Sequence, residues 1–90
     1  MPEISRFFGI IIVMYWSDVG KHNRPYFHAL YNDYSCVISI PELDILKGKL
    51  PNRIMKLVIE WASIHRLELL TNWECIKNYT QPKPIKPLEL

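Results

Sequence analysis

The sequence predicts a small α+β domain: a three- to four-stranded antiparallel sheet followed by one bent helix or two, packed on one face. Three observations carry this. A run rich in β-branched and aromatic residues occupies positions 7–16. Two further strand-like runs flank Asn32-Asp33. From Asn52 to Tyr79 the apolar residues recur every three or four positions. Strands first and helices afterwards is the order of an α+β fold.

Phe7 to Trp16 reads as one strand, because its composition and length favour a strand over a helix. It lacks polar alternation, so both of its faces should be covered. Gly9 inside it marks a bulge or bend. Residues 17–25 combine turn formers and charges and form a surface loop. Pro25 has no N–H for a ladder, so the second strand begins at Tyr26.

Residues 26–31 and 34–40 form a tight hairpin across Asn32-Asp33, two residues of a type that tolerates positive φ. A two-residue loop fixes the register. Tyr31 then faces Tyr34, Ala29 faces Cys36 and Phe27 faces Ile38, all on the core side. His28 and Leu30 fall on the other face, opposite Val37 and Ser35, with Ser39 nearby. The alternation therefore takes His28 out of the core. Pro41-Glu42-Leu43 turns the chain, and Asp44 to Lys47 forms a short fourth strand.

Pro51 or Asn52 starts the helical region. Ile54, Val58, Trp61, Ala62, His65, Leu69, Trp73 and Ile76 supply its apolar stripe. One straight helix from 52 to 79 would reach ~42 Å. A compact chain of this size has a radius of gyration near ~12 Å. A break is therefore expected at residues 63–66. Thr71-x-x-Glu74 has the capping-box pattern and marks a possible start for a separate last helix. Residues 1–80 make one domain, and 81–90 form a Pro-rich extended tail in which Ile85 and Leu88 can dock.

Composition narrows the function classes. With 49% hydrophobic and 22% charged residues, the chain is globular rather than disordered. A net charge of +2 is too balanced to argue for nucleic acid by itself. Cys36 and Cys75 lie far apart and form no CxxC pair, so they read as reduced residues of a cytoplasmic protein. The apolar run at 7–16 is well short of the ~20 residues of a membrane-spanning helix, and no small-residue cleavage site follows it. No membrane association and no cofactor are expected.

The candidate site is the stretch from His22 to His28, which holds two imidazoles, Arg24 and Tyr26. Imidazole is a general acid or base near neutral pH and a common metal ligand. Arg24 can clamp phosphate bidentately and Tyr26 can donate a hydrogen bond. An acid, a base and a cation suit phosphodiester cleavage. A metal site would need a carboxylate as well, and Asp18 is the nearby one. The plainer alternative is a loop histidine and an edge histidine bonded to backbone. Lys21, Lys47, Lys49 and Arg53, with Arg24 and Lys56, are candidates for a basic patch toward RNA or an acidic partner. His65 falls on the apolar stripe and reads as a hydrogen-bonded interfacial residue, while Trp61 and Trp73 read as core anchors.

Several motifs resemble one small prokaryotic family, known as a domain of unknown function, number 4160. They are Met1-Pro2-x-Ile4-Ser5-x-Phe7-x-Gly9-Ile10, His22-Asn23-x-Pro25-x-Phe27-His28-Ala29, Gly48-Lys49-Leu50-Pro51, Glu60-Trp61, Leu69-Leu70-x-Asn72-Trp73 and Pro87-Leu88. The resemblance implies a small cytoplasmic component of a toxin–antitoxin-like gene pair, often beside another short gene. The family usually reads His-x-Pro-Pro-His-Phe-His. Here Arg24 stands for a proline and Tyr26 for the middle histidine, so of the three histidines only the outer pair, His22 and His28, matches the pattern.

The expectation is a small interaction module that binds a protein partner, a cognate toxin or antitoxin, or a second copy of itself, through the apolar first strand or the helix surface. The alternatives are an RNA-cleaving toxin that uses His22 and His28 with Arg24 and Tyr26, and a histidine metal-binding protein. Whether the protein is an enzyme stays open at this point. An interaction module predicts an exposed apolar patch. The nuclease predicts imidazoles converging near Arg24.

Overall fold

A computed structural model describes residues 3–15 and 24–89. Five strands precede two helices: β1 Glu3–Phe7, β2 Ile10–Val13, β3 Tyr26–Tyr31, β4 Tyr34–Ser39, β5 Ile45–Lys49, α1 Asn52–Ile64 and α2 Arg66–Lys77. The strands form one antiparallel meander in the order β1-β2-β3-β4-β5. This is an α+β fold with one strand more than the three or four expected.

The extra strand comes from the first apolar run. Residues 3–13 form a hairpin, with Phe7 of the run ending its first strand and Ile10 to Val13 forming its second. Phe7 pairs directly with Ile10, so Phe8 and Gly9 form the two-residue turn. Both have positive φ, 49° and 79°, the mirror-image geometry that matches strand twist. Glycine adopts it freely, whereas an aromatic residue there is strained. Gly9 thus marks a full reversal of the chain.

The second hairpin has the register expected of a two-residue loop. Tyr31 pairs with Tyr34, Ala29 with Cys36, Phe27 with Ile38 and His28 with Val37. Asn32 carries the positive φ of 50°. Phe27, Ala29, Cys36 and Ile38 are buried on the inner face, joined there by Ile10 and Ile12 of β2. On the outer face, Val13 and Ile11 lie beside His28 and Leu30.

α1 covers the inner face. Pro51 precedes its first residue and accepts the Met55 N–H at 2.8 Å. Trp61, fully buried, packs against Phe7 and Phe27 with ring centroids 5.4 and 6.1 Å apart. The helical region breaks at His65, inside the stretch expected to bend. The break shows in the hydrogen bonds: the His65 N–H is shared between the carbonyls of Trp61 and Ala62. α2 closes the end of the sheet where β3 begins. Its Trp73 meets Tyr26 at 5.2 Å, and Arg66 Nε donates to the Pro41 carbonyl. Thr71 starts no helix. It sits inside α2 with its hydroxyl donating back to the Leu67 carbonyl at 3.0 Å, the i−4 bond that helix-interior threonines make.

The tail is extended and docked. Ile85 and Leu88 are buried in the main core. The Ile85 N–H donates to the carbonyl of Ile4 in the outer strand β1. Trp61 Nε1 donates to the Lys86 carbonyl at 2.8 Å. The buried Asn72 amide grips Lys83 twice, donating to its carbonyl and accepting its N–H. This pair of bonds leaves neither backbone group of Lys83 unsatisfied.

Candidate functional site

Alternation along β3 puts Tyr26 and His28 on the outer face of the sheet. There they line a cleft of about 510 Å³ with Arg24, Val37, Leu46 and Lys47. A second hollow of about 240 Å³ continues it along His28, Val37 and Lys47 to Ser35, Cys36 and Gly48. His28 is half-buried, and its ring lies 4.6 Å from that of Tyr15 and 5.6 Å from that of Tyr26. The structure therefore brings together Arg24, Tyr26 and His28 of the predicted site and Lys47 of the predicted patch. His22, Lys21 and Asp18 lie outside the described residues.

Arg24 is not a free clamp. Its guanidinium donates to Asp44 at 3.0 Å and to the Ser39 hydroxyl at 3.3 Å, with Glu42 at 3.7 Å. Ser39 ends β4 and the 40–44 loop supplies Glu42 and Asp44, with backbone bonds from Ser39 to Leu43 and Asp44 holding the loop in place. Arg24 thus ties the start of β3 to the β4–β5 connection.

The patch residues divide in two. Lys47 lies opposite Val37 and Lys49 opposite Ser35, so both are exposed on the outer face of β5. Arg53 belongs to the first turn of α1, on a different element. β5 carries a bulge, because the register shifts between Val37 and Ile38. The extra residue is Leu46, which the bulge turns into the cleft beside Lys47. All five β5 residues are exposed. Ile45 and Leu46 are 53% and 44% exposed, high for large apolar side chains. Sequence reasoning places Val37 opposite His28 but gives it no role at a site, and it gives Leu46 none either. The alternation of Lys47 and Lys49 could have pointed to this strand, but the bulge could not be read before its partner was known.

His65 is hydrogen-bonded at the helix break, as expected. Its Nδ1 lies 2.6 Å from Glu68, and its ring packs on Trp61. Among the described residues, no group of three or more His, Cys, Asp or Glu side chains converges for a metal ion. Among the described residues, no helix is long and apolar enough to cross a membrane.

Cys36 and Cys75 are free thiols. Burial pushes the Cys36 thiol up from its ordinary value. The native state then keeps a proton that the unfolded chain releases above about pH 8.5. The resulting stability is complete below that pH and is lost as pH rises through the raised native value. Urea unfolding between neutral and alkaline pH should show it, with a slope of up to about 1.4 kcal/mol per pH unit. Cys36→Ala should remove that part of the slope.

No curated protein and no solved structure matches the chain at a significant level. The family model described as Domain of unknown function (DUF4160) matches residues 9–74, a span that contains the cleft, β5 and most of both helices, and the chain belongs to that family.

Proposed function

We propose that the protein is a small cytoplasmic interaction module, one component of a toxin–antitoxin-like gene pair, that binds its protein partner along β5. The observation that carries this reading is the open edge. β1, at one side of the sheet, meets the docked tail at Ile4. At the other side β5 pairs with β4 alone among the described residues, and it is exposed throughout. An edge strand offers a row of unpaired N–H and C=O groups on which a partner can add a strand. Ile45 and Leu46 add apolar contact beside that row.

Co-expression with the product of the adjacent gene tests the proposal. A complex should survive gel filtration, and the double change Ile45→Ser with Leu46→Ser should break it while the far-ultraviolet circular dichroism stays the same. Both side chains are exposed, so the stability cost should stay within about 0.5 kcal/mol each. No complex, or one indifferent to the double change, would sink the proposal.

The convergence of Arg24, Tyr26, His28 and Lys47 in one cleft supports a second reading, an RNA-cleaving toxin. Against it stands the commitment of Arg24 to Asp44 and Glu42. Growth arrest and RNA integrity separate the two readings when the protein is expressed alone, with His22→Ala and with His28→Ala. Arrest with RNA loss that vanishes in either variant favours cleavage; arrest that survives both ends that reading.

A further inference from the structure

We propose that the segment received by β5 is acidic: an extended stretch of the protein partner whose alternate residues are Asp or Glu. The inference rests on the edge-strand reading above and adds the chemistry of the occupant.

The cations of the outer face decide it. Arg6 pairs with Ile11 in the sheet and so shares that face, but it binds Glu3 through two hydrogen bonds, at 2.7 and 3.1 Å. Arg24 is held by Asp44 and Glu42. Among the described residues, Lys47 and Lys49 have no salt-bridge partner. They stand two residues apart on one strand, which is the period at which side chains repeat on one face. A strand added to β5 would place its own alternate side chains about 5 Å from these ammonium groups' Cβ atoms. Carboxylates at that spacing meet both lysines at once, and the intervening residues fall beside Ile45 on the inner side.

The same geometry argues against a second copy of this chain. In an antiparallel self-pair centred on Gly48, Lys47 of each copy would face Lys49 of the other, and in one centred on Lys47 the two Lys47 side chains would face each other. Lysines and bulges on edge strands are devices that discourage such self-pairing, and β5 has both. A nucleic acid would use the lysines but would leave the backbone row, Ile45 and Leu46 unmatched.

The test uses the full chain and labelled short peptides, read by fluorescence anisotropy. One peptide alternates valine with glutamate, one valine with lysine and one valine with threonine. A short oligouridylate is the fourth probe. The glutamate peptide should bind at least about tenfold tighter than the lysine peptide, since two cross-strand pairs change sign between them. Its affinity should fall with added salt. Lys47→Glu with Lys49→Glu should reverse the preference, and both positions are exposed, so the fold is retained. Equal binding of the threonine peptide would overturn the charge inference and leave the edge reading standing. Tighter binding of the oligouridylate, or failure of every peptide, would overturn the inference; the edge reading then stands or falls by the co-expressed complex.

Discussion

Replacing Trp61 with alanine is expected to cost about 3–5 kcal/mol, the range for removing a large aromatic side chain from a core. Trp61 is fully buried. Its ring touches the sheet through Phe7 and Phe27 and the helix break through His65. Its indole N–H holds the tail at Lys86. One side chain thus joins sheet, helix break and tail, and the cavity left by alanine cannot collapse without moving all three. Small domains are stable by only ~5–15 kcal/mol, so thermal unfolding should drop by roughly 15 °C or more. Trp61→Phe separates the terms. It keeps most of the apolar contact and loses the bond to Lys86, worth about 1 kcal/mol. A loss below 1 kcal/mol in the alanine variant, measured by urea unfolding, would contradict this account of the core.

The second large effect is expected at Gly48. Its φ is +81°, and a Cβ there would lie 2.2 Å from the Ser35 carbonyl oxygen and 3.1 Å from the Cys36 Cα. Both obstacles are backbone of the neighbouring strand, so no side chain can swing aside. Left-handed backbone costs an L-residue roughly 1–2 kcal/mol before any collision. Gly48→Ala should therefore lose about 3 kcal/mol, or else β5 should part from β4. Hydrogen exchange distinguishes the two, because strand release exposes the β5 amides while the rest of the sheet stays protected. Gly9→Ala is the control. Its φ is +79°, but among the described residues a Cβ there meets only the Tyr31 ring, at an ordinary 3.5 Å. It should cost only the backbone strain, about 1 kcal/mol. If the two variants lose equally, the collision at Ser35 is not the cause.

Much of this architecture can be read from local chemistry. Asn32-Asp33 set a hairpin length, and length sets register, so the outward side chain of His28 followed from counting. The helix break at His65 followed from the size of a compact chain. The first hairpin did not follow. Its turn contains Phe8, an aromatic residue at φ 49° that gives no turn signal, and the apolar run continues across it. Thr71 misled because a capping box and a back-bonded helix threonine share one pattern. At the site, Tyr26 and His28 share a face by strand period alone. The ties from Arg24 to Asp44 and Glu42 depend on how the 40–44 loop folds back, and no local pattern encodes that. The bulge at Leu46 arises from pairing with β4, so it exists only once two strands meet.

The docked tail has a consequence for the time course of folding. Every strand neighbours the one before it in sequence, and no strand-to-strand connection exceeds twelve residues, so the meander can form by local steps. The Ile85–Ile4 bond joins residues nearly a full chain length apart. Its loop entropy is large until the sheet and both helices have shortened the path. Tail docking is therefore the late event. Interactions absent from the folding transition state act mainly on the unfolding rate. The contacts of Asn72, Trp61 and Ile4 with the tail thus set how long the native state lasts, while the hairpins set how fast it is reached.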